Sequence, residues 1–102
     1  MKEAGPAMKP LTLRHRIIAL LREREMDARE LSQELGIKEK EVYEHLVHVE
    51  RSAAAAGTRF ILTPSQCLLC GYRFADRRRL TRPTRCPECR RSRLQSPSFR
   101  ID

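Results

Sequence analysis

Four cysteines carry the most specific chemistry in this chain. Cys67-Leu68-Leu69-Cys70 and Cys86-Pro87-Glu88-Cys89 form two C-x2-C pairs with fifteen residues between them, the spacing of a four-cysteine zinc ribbon. A two-residue gap lets both sulfurs of a tight knuckle point at one centre. Two knuckles joined by a hairpin then complete a tetrahedron with bonds of about 2.3 Å. Gly71, directly after Cys70, suits the sharp turn of the first knuckle, and Arg90 holds the matching place in the second. The competing readings are two disulfides, a redox dithiol or buried free thiols. Disulfides are disfavoured because Met1 to Pro10 carries no signal-peptide hydrophobic stretch, and a redox dithiol because no βαβ context surrounds the pairs. One structural Zn2+ per chain is therefore expected on Cys67, Cys70, Cys86 and Cys89, since four protein ligands leave no open position for water or substrate. A segment of roughly 45 residues with few large aliphatics needs such a staple to fold.

Charge is the second signal. The chain has 102 residues and a formal net charge of +8, and the distribution is uneven. Residues 1–55 hold ten Lys and Arg against ten Asp and Glu, whereas residues 56–102 hold eleven Arg, no Lys and three acids. Four thiolates on one zinc ion would lower the effective excess by about 2. A fixed basic surface attracts polyanions, and guanidinium suits planar, bidentate phosphate contacts better than ammonium does. Arg77-Arg78-Arg79, flanked by Arg73 and Arg82, is expected at the tip of the ribbon hairpin as a phosphate-gripping cluster, because like charges so close repel unless an anion relieves them.

Hydrophobic periodicity supplies the frame. Leu13, Ile17, Leu20 and Leu21 recur on one face of a first helix, from about Thr12 to Arg24. Asp27 stands three residues before Glu30, the pattern of a capping box, and Ala28, Leu31 and Leu35 form the stripe of a second helix that Gly36 ends. Val42, Leu46, Val49 and Ala53 mark a third, which stops at Gly57. Beyond it the texture changes to short extended pieces at Arg59 to Leu62, Tyr72 to Phe74 and Ser98 to Ile101. Residues 1–10 are expected as a disordered tail, 11–57 as the helical module and 58–102 as strands and ribbon. The longest apolar run in the first half, Ile17 to Leu21, is far short of the roughly 20 residues that span a bilayer, so no membrane partner is expected.

Ala28 to Ile37 followed by Val42-Tyr43-Glu44-His45-Leu46 resembles a bacterial or archaeal helix-turn-helix, and a β-strand after the third helix makes it similar to the winged type. Together with the cysteines, residues 11 to 102 resemble predicted transcriptional regulators that fuse a winged helix-turn-helix to a four-cysteine zinc ribbon. The resemblance implies a recognition helix from Lys38 to about Arg51 lying in the DNA major groove, with a wing on the backbone. Lys38 stands where a Ser or Thr cap is usual, and Glu39, Glu41, Glu44 and Glu50 share the exposed positions with Lys38, Lys40 and Arg51.

The fold expected is thus small α+β: a three-helix winged helix-turn-helix with the zinc-ribbon β-module after the wing or inserted in it. The function expected is DNA binding in transcription control, cytoplasmic and nucleoid-associated, through Lys38, Lys40, Tyr43, Arg73, Arg77, Arg78, Arg79 and Arg82. Two alternatives are a protein-interaction adaptor of the transcription or translation machinery and an RNA binder using Tyr72 or Phe74 to stack on a single strand. Tyr43 and Val47 form a small apolar stripe suited to docking the ribbon or a second copy of the chain in a homodimer. His15, His45 and His48 lack cysteine or carboxylate partners at ligand spacing, and His45, on the edge of a packed face, reads as structural. No Ser/His/Asp set, acid pair or phosphate loop is present, so no enzymatic activity is expected.

Overall fold

The computed structural model describes residues 10–102. The tail expected over residues 1–10 lies outside the described residues apart from Pro10, which opens the first helix. Three helices follow one another: α1 (Pro10–Glu23), α2 (Ala28–Leu35) and α3 (Glu39–Ala55). Ile17 and Leu21, four residues apart, are fully buried on one face of α1, and Leu31 and Leu46 meet them from α2 and α3.

Local chemistry fixes where the helices start and stop. The Asp27 carboxylate accepts from the Glu30 N–H at 2.8 Å while the Glu30 carboxylate accepts from the Asp27 N–H at 2.9 Å, so two orphan amides of α2 are satisfied reciprocally. At the other end, Gly36 adopts φ 69° and its N–H donates to the Ser32 carbonyl at 2.9 Å; a residue with a Cβ resists this left-handed conformation. Lysine has no acceptor to cap α3. The Glu41 carboxylate supplies half of a capping box instead, accepting from the Lys38 N–H at 3.1 Å. Past α3, the Thr58 N–H and hydroxyl both donate to the Ala53 carbonyl at 3.0 Å.

Five short strands complete the chain: β1 (Met26–Asp27), β2 (Phe60–Thr63), β3 (Gln66–Cys67), β4 (Leu94–Gln95) and β5 (Ser98–Ile101). They form a three-stranded antiparallel sheet in the order β1-β5-β2 and a two-stranded antiparallel pair β3-β4. In the larger sheet β5 is central, with Phe99 opposite Met26 on one side and Leu62 on the other. Because β2 and β5 pair directly, the cysteine-bearing segment between them is an insertion. The strand expected at Tyr72 to Phe74 reduces to a single bridge between Gln66 and Arg73. There the Cys67 N–H donates to the Tyr72 carbonyl at 2.8 Å and the Phe74 N–H to the Ser65 carbonyl at 3.0 Å, a hairpin too tightly wound around the knuckle to run further.

Two apolar clusters result. The larger holds the buried stripes of all three helices together with Met26, Phe99 and Ile101, so the last strand belongs to the helical core despite its distance in sequence. The smaller holds Cys67, Phe74, Cys86 and Leu94, with Tyr72 and Cys89 packed against it. Leu80, although part of the insertion, packs on the larger cluster.

Phe99 is fully buried and its ring lies 5.8 Å from that of Phe60. Phe99→Ala is expected to lower the unfolding free energy by about 3–5 kcal/mol, against about 1 kcal/mol for Asp27→Ala, which removes only a cap. Urea titration followed by circular dichroism checks the ranking; a Phe99 loss no larger than the Asp27 loss would mean that β5 is not part of the helical core.

Candidate metal centre and basic face

Two hairpin turns of the same construction carry the cysteines. In the first, the Gly71 N–H donates to the Cys67 carbonyl at 3.0 Å; in the second, the Arg90 N–H donates to the Cys86 carbonyl at 2.9 Å. Gly71 has φ 82° and Arg90 has φ 63°, so the chain bends the same way at both places, with glycine at one and arginine at the other. Arg90 is the one non-glycine residue with positive φ among the described residues, a conformation that costs an L-residue on the order of 1–2 kcal/mol.

The turns bring all four sulfurs within 4.8 Å of one another. Cys67 Sγ lies 3.6 Å from Cys89 Sγ, and Cys70 Sγ lies 3.6 Å from Cys86 Sγ. Sulfurs at about 2.3 Å from a central ion stand roughly 3.8 Å apart along a tetrahedron's edges, so these two pairs match the spacing a zinc ion needs. Cys67 and Cys86 are buried and Cys89 is half-buried, whereas Cys70 is exposed.

Electrostatics gives the cluster a reason to hold a cation. The Cys70 and Leu69 N–H groups stabilise a thiolate at Cys67 and pull it down to about 6, even though burial opposes the charge. Against the Tyr72 N–H, which favours its thiolate, partial desolvation of the sulfur and the sulfurs of Cys86, Cys67 and Cys89 push Cys70 up to about 12. Against the Arg91 N–H, burial and the Cys67 sulfur raise Cys89 as well. One thiolate therefore forms readily at Cys67 while Cys70 and Cys89 hold their protons more tightly. A divalent cation would remove that conflict, and its binding must release protons. Zinc bound here would cross-link the two knuckles.

The histidines do not join this centre. Among the described residues the four cysteines are the one group of potential metal ligands brought together. His45 is instead half-buried between helices, where its Nδ1 accepts from Arg14 Nε at 3.4 Å.

The residues singled out for anion contact fall into distinct settings. Arg78 and Arg79 are exposed and, with Leu80 and Thr81, face Tyr43, Val47 and Glu50 of α3 across a cleft of about 350 Å3. Arg77 is turned into its own loop, donating to the Thr81 carbonyl at 3.1 Å and hydroxyl at 3.3 Å. Tyr43 and Arg82 share a second cleft with Arg29, Glu39 and Ser96. Burial, together with Glu39 and Asp27, raises the Tyr43 hydroxyl above its ordinary value. The insertion's loop thus borders the Tyr43 and Val47 stripe across the first of these clefts, and Val47 stays exposed. Lys38 and Lys40 are exposed at the start of α3, and Arg73 is exposed on the first hairpin.

The remaining arginines divide by partner. Arg59 and Arg100 converge on the Asp102 carboxylate at 3.1 and 2.5 Å, which uses both locally. Arg85, Arg90, Arg91 and Arg93, none of them among the anion contacts expected from the sequence, line one cleft of about 510 Å3 beside the second knuckle. They are spread over nine positions instead of forming a run, so only the turn geometry reveals their common surface. No described helix is long and apolar enough to cross a membrane.

Residues 12–61 match the family described as PF0610-like, N-terminal. The chain is also similar to the solution NMR structure of protein PF0610 from Pyrococcus furiosus, with 27% sequence identity and a TM-score of 0.79 over 99% of this chain and 98% of that one. The structural likeness thus extends past the family match, which ends within β2, into the cysteine-bearing insertion. No curated protein matches the sequence.

Two measurements test the centre. Cys86→Ser is expected to abolish stoichiometric zinc, read by elemental analysis, and to disorder the amides of residues 64–97 while those of the three helices keep their NMR shifts; uniform collapse would show that the two clusters are not separable. Zinc affinity should also fall with pH, because protons held by Cys70 and Cys89 at neutrality must leave. Each such proton contributes up to about tenfold per pH unit, and a chelator competition that is flat between pH 8 and 6 would show that the sulfurs do not bind as thiolates.

Proposed function

We propose that this chain is a DNA-binding protein of the winged helix-turn-helix type, acting in transcription control without catalysis. In this reading α2 and α3 are the helix-turn-helix, α3 is the recognition helix, β2 and β5 are the wing strands, and the wing's loop is replaced by the zinc ribbon. The supporting observation is the seat of the arginine loop. It packs beside α3, so exposed Arg78 and Arg79 border the helix stripe that carries Lys40, Glu44, Val47 and Arg51. Those four recur at i, i+4, i+7 and i+11 and are all exposed. A duplex lying on that stripe would meet guanidinium groups at its phosphates, which is what a wing supplies.

The acidic residues of α3 are mostly accounted for elsewhere. Glu41 caps the helix, Glu39 lines a cleft with Arg82, and Glu50 lines the cleft with Arg78 and Arg79. Glu44 alone of the four stands on the outward stripe. Single-stranded RNA is less well served, because the aromatic faces it would stack on are in use: Tyr72 and Phe74 pack edge to face with ring centroids 5.0 Å apart, and Phe74 is buried.

Salt dependence separates phosphate contact from base readout. With zinc-loaded protein and random duplex, Arg78→Ala with Arg79→Ala is expected to flatten the plot of log affinity against log salt by up to about 1.8, at roughly 0.9 per lost contact, with sequence preference unchanged. Lys40→Ala with Arg51→Ala should instead alter which sequences a random-site selection enriches. An unchanged slope in the arginine variant, or no duplex binding at low salt, rejects the reading.

A further inference from the structure

The cleft beside the second knuckle combines three features that the DNA-binding reading leaves unused. Its walls are Leu69, Thr84, Ser92 and four arginines, with no carboxylate among them. None of those arginines pairs with an acid among the described residues, so the cleft is a concentrated positive site awaiting an anion. Leu68 and Leu69, at the first knuckle, are 62% and 52% exposed, and Leu69 reaches into the cleft wall. Two adjacent leucines held in water beside a charged cleft are an apolar contact without a partner.

The third feature is backbone strain. Arg90 lines the cleft at φ 63°, where the first knuckle has Gly71 at φ 82°. Glycine there would be less strained, and the outcome of placing arginine instead is one more guanidinium on this surface. Strain of this kind, retained at a position with an easy alternative, points to use of the side chain.

We propose that this cleft docks an acidic polypeptide segment that also carries an apolar side chain. The segment's carboxylates would be held by Arg90 and its neighbours in two-pronged contacts, and its aliphatic group would cover Leu68 and Leu69. A duplex offers the charge but keeps its apolar base faces stacked inside, whereas a polypeptide can present carboxylates and an aliphatic side chain together and so fits both halves of the surface. The protein would then hold DNA along α3 and an acidic protein at its zinc-bearing end.

The probe is a fluorescent peptide built from Asp, Glu and Leu, compared with a control in which every Leu is Ser, each titrated against the zinc-loaded full chain by anisotropy. Covering the leucines should make the Leu peptide bind about tenfold tighter than the control, and Leu68→Ser with Leu69→Ser should erase that difference. Arg90→Gly is the decisive variant: it should raise the melting temperature while weakening peptide binding, a combination that a merely structural arginine would not produce. Equal binding of the two peptides, or peptide binding unaffected by Arg90→Gly, overturns the proposal. So does a flattened duplex salt slope in Arg91→Ala with Arg93→Ala, which would assign the cleft to nucleic acid. Self-association abolished by Leu68→Ser would do the same in favour of a second copy. Duplex binding is measured on the same proteins, and its loss through Arg78 and Arg79 leaves the peptide result unaffected.

Discussion

The architecture depends on one pairing, that of β5 with β2. It joins Ser98–Ile101 to Phe60–Thr63 across an intervening stretch of residues 64–97, and closing a loop of that length costs on the order of 3 kcal/mol in chain entropy. The gain that offsets the cost is apolar: Phe99 and Ile101, two residues apart on one strand face, both enter the helical core. Without β5 the three helices would expose the groove that Phe99 fills, and the insertion would lose the stem that carries it. The helical unit therefore cannot be complete until the chain beyond the insertion has arrived.

The insertion has a different source of order. Its core is four side chains, two of them cysteines, too small to offset the entropy of fixing so many residues by burial alone. Backbone hydrogen bonds within the two knuckles, Gly71 N–H to the Cys67 carbonyl and Arg90 N–H to the Cys86 carbonyl, hold each cysteine pair in its turn, and a cation would supply the stability. One molecule thus combines a unit held by hydrophobic stripes with a unit whose cohesion is centred on sulfur.

What could be read from the sequence follows this division. The helices were legible because their signals are local: the stripes, the reciprocal Asp27 and Glu30 carboxylates, and Gly36 each act within a few residues. The cysteines were legible because two short repeats encode one geometry. β1 was not, since Met26–Asp27 is a strand only because the free edge of β5 lies beside it, and Asp27 is at the same time a helix cap. β3 and β4 are two residues each, too short to show alternation. The arginines were legible as charge but not as surface: Arg77, within the contiguous run, serves its own loop, whereas scattered arginines around the second knuckle share a cleft.

Leu80 and Arg82 change the mechanical character of the protruding unit. An insertion joined only by its two stem strands could swing about them, but this one also rests on the helical unit, with Leu80 against its core and Arg82 beside Tyr43. A stem with a side contact restrains tilt as well as position. In a molecule 53 Å along its greatest dimension and 28 by 20 Å across, the spacing between the outward stripe of α3 and the second knuckle is set by a braced strut and not by a tether. Two macromolecules held at those places would meet at one distance and one angle, so the chain could act as a gauge that accepts only pairs whose own geometry suits it.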